Sequence, residues 1–227
     1  MNAPTLLVGL GGTGSEIVQK VFERATPSQR KDIGFVIFDT DVNELRVIEE
    51  RTPQIRTIQT YTRLTVGEYL DCDNYSRDNW FPVNRILNGK ALTEGAGQVR
   101  AVSRLALNTA IQQGKMALNE AIEELYKLKG QKTVQAPRVI LAGSLCGGTG
   151  SGLILPVAMY IRNFMSSKLQ QGSTIIRGFF LEPDTIFDRI TLVNHAHTER
   201  LTIDMNLRFV NMRTEPHTEA KIDRMVI

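Results

Sequence analysis

The amino-acid sequence predicts an α/β domain: a doubly wound, mostly parallel sheet with helices on both faces. Three observations lead there. Four short apolar runs, Thr5–Gly9, Phe35–Phe38, Arg138–Gly143 and Thr174–Leu181, read as strands buried on both faces. Segments with apolar residues at helical spacing separate them. Glycine-rich turns follow two of the runs. Strands alternating with helices imply parallel pairs joined by right-handed crossovers.

The elements follow in order. After Thr5–Gly9 and its glycines, Ile17, Val18, Val21 and Phe22 recur at helical spacing. Phe35–Phe38 is the second strand, Asn43–Glu50 a short helix, and Ile55–Thr62 alternates as a third, weaker strand. The stretch from about 62 to 97 is the least regular. Trp80, Pro82 and three glycines within Tyr69–Gly97 make it mostly loop with short turns.

One long helix is expected over Arg100–Lys129. Leu107, Ile111, Gly114, Leu118, Ala121, Ile122, Leu125 and Leu128 form its stripe, and Gly130 ends it. Arg138–Gly143 leads to a helix over Leu153–Leu169. Pro156 suits a first turn, so that helix is expected to start near Ser151–Leu153. Thr174–Leu181 is the fifth strand, and a last helix is expected from Ile190 to about Val210.

Composition bounds the function. The 227 residues suffice for one sizeable core, or one core with a small appendage, and the whole is expected to be one nucleotide-binding domain. The net charge of +3, from 27 basic and 24 acidic side chains mixed along the chain, is too even to argue for nucleic acid or a membrane surface. No apolar run is long enough to span a membrane, and the first residues lack a basic signal-peptide region. Cys72 and Cys146 have no metal-type spacing, which fits a reduced, cytoplasmic compartment.

Chemistry concentrates in two glycine turns. Gly9-Leu10-Gly11-Gly12-Thr13-Gly14 joins a strand to a helix. Glycines there let a pyrophosphate approach without a Cβ clash, and the helix points N–H groups and its positive dipole end at the anion. Alone, this turn also matches the dinucleotide fingerprint, with Asp39 ending the next strand where a ribose-binding acid would sit. The bland alternative is glycines serving only helix–sheet packing.

The second turn, Cys146-Gly147-Gly148-Thr149-Gly150-Ser151-Gly152, again joins strand to helix. Its glycines and two hydroxyls make a nest of donors. No Lys follows the last glycine, so it is not a Walker A loop. Phosphate charge would then be met by backbone dipoles and Mg²⁺. Each hydrogen bond to a charged group contributes about 1.5–3 kcal/mol. Four give roughly 6–12 kcal/mol, against about 4–15 kcal/mol lost on association. One turn would hold a phosphate tail marginally; two at one end of a parallel sheet could grip a triphosphate.

A third anion-facing turn, Gly95-Ala96-Gly97, precedes the long helix, with Arg100 and Arg104 on its first turns. The arginines read either as contacts to a terminal phosphate or as solvated surface. Asp39 and Asp41 could hold Mg²⁺ through water or serve as strand-end turn acids.

These residues resemble the tubulin/FtsZ superfamily. Cys146–Gly152 is similar to its Gly-Gly-Gly-Thr-Gly-Ser-Gly phosphate loop, with Cys146 at the first glycine. Gly11-Gly12-Thr13-Gly14 resembles the first phosphate loop, Asp39-Thr40-Asp41 the Asn-Thr-Asp of the second, and Gly95-Ala96-Gly97 the loop that senses the terminal phosphate. Continued through Arg100 and Arg104-Leu105-Ala106-Leu107, the pattern is most similar to a bacterial tubulin-like branch.

The resemblance implies binding of GTP and GDP with Mg²⁺, and head-to-tail self-association into filaments. It also implies GTP hydrolysis completed between subunits by an acidic loop, which has no counterpart in this sequence, nor does the family's second domain. Glu16 stands at a base-contacting position and could accept from guanine. Glu182 and Asp184 fall at the ribose loop, and Asn194 at a base or ribose contact. A Rossmann-type NAD(P)- or nucleotide-dependent enzyme and a non-catalytic nucleotide-binding adaptor are the alternatives. His195 and His197 sit two apart, diverge on a helix, and make a poor metal pair.

Overall fold

The computed structural model describes residues 4–60, 64–81, 85–91, 95–97, 99–112, 117–128, 138–168, 174–182 and 224–226. Strand β1 (Thr5–Leu10) enters helix α1 (Gly11–Arg24), and α2 (Pro27–Arg30) is a single turn before β2 (Ile33–Asp39). Helix α3 (Val42–Arg51) leads to β3 (Arg56–Gln59). Three short helices follow, α4 (Val66–Cys72), α5 (Asn74–Asn79) and α6 (Arg85–Asn88), then α7 (Arg100–Gln112) and α8 (Ala117–Leu128). Strand β4 (Arg138–Ser144), helix α9 (Gly148–Lys168) and strands β5 (Ile175–Leu181) and β6 (Arg224–Val226) complete the order.

The six strands lie in the order β3-β2-β1-β4-β5-β6, and every pair is parallel. The sequence reading is met and exceeded, since it expected only a mostly parallel sheet. The chain moves outward one way from β1 and the other way from β4, so the order reverses between these neighbours. Such a switch point opens a crevice beyond the strands' carboxyl ends.

Period-2 alternation gives the central strands β1, β2 and β4 two apolar faces. On one, Leu6, Val8, Leu10, Val36, Phe38, Val139 and Leu141 pack with Leu107 of α7, Leu118 and Ile122 of α8, and Leu153, Val157 and Ile161 of α9. On the other, Leu7, Phe35 and Ile37 pack with Val18 and Phe22 of α1 and Leu45 and Ile48 of α3. The helices therefore cover both faces, as a doubly wound sheet requires.

Three details differ from the sequence reading. The segment expected to be mostly loop holds α4, α5 and α6. Thr65 and Glu68 form a reciprocal capping box at α4, and the Asp73 side chain accepts from Ser76 N–H at α5. Side-chain caps start α4 and α5, and all three helices are too short to show a periodic stripe. Val66, Tyr69, Leu70 and Phe81 anchor them on Val102, Leu105 and Ala106 of α7.

The helix expected over 100–129 is described over α7 and α8, with residues 113–116 between them outside the described part. Helix α9 starts at Gly148 rather than near Ser151–Leu153, so Pro156 is inside it. Proline there has no N–H for the carbonyl of Gly152, at a cost of about 3 kcal/mol. Burial of Leu153, Ile154, Val157, Ala158, Ile161 and Met165 outweighs that cost. Finally, β6 was not anticipated, being three residues long; the helix expected over 190–210 lies outside the described residues.

Candidate functional site

The two glycine turns meet at the switch point. In register, Leu10 pairs with Gly143 of β4 on one side and Phe38 of β2 on the other. Helix α1 begins directly after β1 and α9 begins four residues after β4, so both starts sit at one rim of the sheet. Leu10 caps α1 with no side-chain hydrogen bond. A helix start leaves its first N–H groups without intrahelical acceptors, here those of Gly11, Gly12 and Thr13 in α1. In α9 Ser151 N–H donates to the Gly147 carbonyl at 3.2 Å, which leaves the N–H groups of Gly148, Thr149 and Gly150 ahead of the first bond.

The turns touch. Gly11 has φ +71°, and a Cβ on it would lie 2.9 Å from the nitrogen of Gly150. A Cβ on Gly150 would lie 2.8 Å from the Leu10 carbonyl oxygen. These two positions need glycine so that two helix starts can lie side by side. At Gly147 a Cβ would meet nothing within 4 Å, and at Gly12 only the Glu44 carboxylate at 3.6 Å. Internal packing does not demand glycine at either; open space lies beside both.

The second turn is held from two sides. From β2, Thr40 Oγ1 lies 2.9 Å from Thr149 Oγ1. From α7, Arg100 Nε donates to Ser151 Oγ at 2.8 Å, and its Nη2 to the Leu145 carbonyl at 3.1 Å. Ser151 Oγ in turn donates to the Gly147 carbonyl. Ser103 Oγ lies 2.8 Å from the Gly148 carbonyl and 2.9 Å from that of Arg100.

Asp39 ends β2 beneath this contact and is 4% exposed. Its Oδ1 accepts the N–H groups of Thr40 at 2.6 Å and Asp41 at 3.2 Å. Burial pushes its carboxyl above the ordinary value of 3.8, a rise that those two bonds oppose. Glu44 is raised too, first by burial and then by the charges of Asp39 and Asp41. Asp41 Oδ1 caps α3 by accepting Asn43 N–H at 2.8 Å.

A family model described as "Tubulin like" matches residues 6–202, most of the chain and both turns. The chain belongs to the tubulin-like family. Among solved structures, one match is CetZ2 from Haloferax volcanii, described as a GTPγS-bound protofilament, at 12% identity and a TM-score of 0.44. The match covers 95% of this chain and 60% of that one, so this chain spans about three fifths of that protein's length. None of the curated proteins matches.

In the tubulin-like chain the sequence-predicted residues separate into groups. Gly11, Gly12, Thr13, Gly147, Gly148, Thr149 and Gly150 line the joined helix starts. Gly14 and Gly152 turn inward instead. A Cβ on Gly14 would sit 2.5 Å from the Ala142 carbonyl, and one on Gly152 2.4 Å from the Arg100 carbonyl, so both serve close packing. Ser151 and Arg100 bond each other. Glu16 is exposed on α1 and pairs with Lys20.

Gly95 and Gly97 have positive φ and flank the buried Ala96 ahead of α7. Glu182 directly follows β5; Asp184 and Asn194 lie outside the described residues. The sequence reading missed Thr40, Glu44 and Ser103 as neighbours of the turns. Only Thr40 had a signal, standing between the two aspartates already singled out.

The tubulin-like domain also has an apolar cavity of about 540 Å³, lined by residues that include Leu7, Ile17, Val21, Ile140, Phe179 and Leu181. It lies on the α1 face of the sheet rather than at the rim, and Thr5 is the one polar side chain in its lining among the described residues. No group of three or more His, Cys, Asp or Glu side chains among the described residues is arranged to hold a metal by itself.

Proposed function

We propose that this tubulin-like chain binds GTP and GDP, with the polyphosphate between the first turns of α1 and α9. One observation carries the reading: two glycine-led helix starts lie side by side at the switch point, with open space beside Gly12 and Gly147. Each start offers unsatisfied N–H groups and about half a unit of positive charge. Thr13 adds a hydroxyl. Glu182 and Asp184 would hold ribose, and Glu16 and Asn194 would read guanine.

Mg²⁺ would be held chiefly by the phosphates. Asp39 and Asp41 each have one oxygen tied to backbone N–H, so they would reach the ion through water. When bound, Mg²⁺ would neutralise phosphate charge beside the acidic end of β2. The protein's own contribution is the aimed N–H groups and the fixed shape of the second turn.

Head-to-tail self-association, with hydrolysis completed between subunits in the cytoplasm, is the corresponding proposal for the whole protein. The dinucleotide reading has the strand order and Asp39 on its side. It is weakened because the buried Asp39 carboxylate already accepts two backbone N–H groups.

Equilibrium dialysis of the full chain with GTP, GDP, ATP and NAD tests the proposal. Preference for GTP and GDP is expected. Tighter binding of NAD, or no discrimination between guanine and adenine, would reject it. Light scattering on adding GTP tests assembly, and phosphate release from the assembled sample tests hydrolysis against the adaptor reading.

A further inference from the structure

We propose that Arg100 is a positioning residue that shapes the second glycine turn and ties it to the α4–α5 layer, so that an anion in the turn is felt at Trp80. The inference rests on the nucleotide reading above and adds a role for residues outside the turns.

The guanidinium brackets the turn, with Nε on Ser151 and Nη2 on the Leu145 carbonyl. Arginine's rigid fork suits two acceptors at once. The Ser151 hydroxyl donates in turn to the Gly147 carbonyl, and Ser103, one turn along α7, donates to the Gly148 carbonyl. In a trans peptide the C=O and the following N–H point opposite ways. Holding the carbonyls of Gly147 and Gly148 inward therefore aims the N–H groups of Gly148 and Thr149 outward.

The contact leaves no slack. A Cβ on Gly152 would lie 2.1 Å from Ser103 Oγ and 2.4 Å from the Arg100 carbonyl, so any shift of the turn displaces the start of α7. One turn further along α7, the Arg104 guanidinium lies 4.0 Å from the centre of the Trp80 ring. Val102, Leu105 and Ala106 of α7 pack on Val66, Tyr69, Leu70 and Phe81 of the same layer. Trp80 is the chain's single tryptophan and also meets the Phe81 ring edge-on, so its emission reports this layer.

The test uses the full chain with Mg²⁺ and either GTP or GDP, reading affinity by dialysis and Trp80 emission separately. Emission is expected to change and to saturate with binding. Arg100→Ala should weaken GTP and GDP by the same factor, about tenfold if one N–H bond from the turn to the anion is misaimed, and should abolish the emission change. Arg100→Lys, which can donate to one acceptor but not bracket both, should restore part of each. Arg104→Leu should leave affinity within about twofold while removing the emission change.

No nucleotide binding by the unaltered chain would overturn the nucleotide reading and this inference with it. Binding without an emission change would overturn this inference alone. So would an Arg100→Ala chain that loses GTP but keeps GDP, the pattern of a direct terminal-phosphate ligand. If Arg100→Ala fails to fold, Ser103→Ala stands in, and equal affinity in that variant counts against the proposal.

Discussion

Thr40 Oγ1 and Thr149 Oγ1 lie 2.9 Å apart, joining the end of β2 to the first turn of α9 across 109 residues of sequence. Thr40 is 1% exposed, so its hydroxyl has no water to turn to if the partner is lost. Thr149→Val keeps the side chain's shape and removes the bond. The expected cost is about 1–3 kcal/mol, the penalty of an unsatisfied buried hydroxyl. Urea unfolding should show a lower midpoint at unchanged slope. Adding Thr40→Val should recover part of the loss, because both polar partners are then gone; strict additivity of the two changes would contradict the direct bond.

Glycines at the rim should divide into two classes. Gly11→Ala meets both a positive φ and the Gly150 nitrogen at 2.9 Å, and is expected to destabilise the fold by about 1–3 kcal/mol. Gly147→Ala meets nothing within 4 Å and should change stability by less than about 0.5 kcal/mol. If polyphosphate lies in the open space, Gly147→Ala should nevertheless weaken GTP binding several-fold. Melting curves and dialysis on the same samples separate the effects, and unaltered GTP affinity in Gly147→Ala would move the ligand elsewhere.

The sheet was legible because strands buried on both faces leave continuous apolar runs, as at Phe35–Phe38 and Arg138–Gly143. The meeting of the two turns was legible as well. Parallel strands put all their carboxyl ends on one rim, so glycine turns after the first and fourth strands had to share it. What the sequence hid lies in side-chain detail. Gly14 and Gly152 read like phosphate-facing glycines, yet each makes room for a neighbouring backbone. Local caps at Thr65 and Asp73 start helices where composition suggested loop. Ser103 had no signal, because one serine inside a helical stripe looks like any other until α9 lies across it.

Pro156 offers a test of the early start of α9. With the helix beginning at Gly148, residue 156 is an interior position whose N–H would bond the Gly152 carbonyl. Pro156→Ala restores that bond and removes the ring's clash, for an expected gain of about 1–3 kcal/mol. Had the helix begun near Leu153, the proline would occupy a first-turn site and its removal would be neutral or mildly destabilising. The sign of the change in unfolding midpoint distinguishes these two starts.

The acidic pair under the turns gives stability a pH dependence of known sign. Burial raises the Asp39 carboxyl above 3.8, and burial with the neighbouring charges of Asp39 and Asp41 raises Glu44 above 4.5. The folded chain therefore holds these protons more tightly than the unfolded chain does. The stability linked to them is fully present below the unfolded values and is lost as pH rises through the folded ones. Asp39→Asn keeps an oxygen able to accept the Thr40 and Asp41 N–H groups but carries no charge. It should melt above the unaltered chain at pH 7, and the margin should shrink as pH falls toward 4. Guanidinium titrations at several pH values without nucleotide would show this as converging curves. A variant whose deficit grew as pH rose would mean that the ionised carboxylate is favoured where it sits, against the effect of burial.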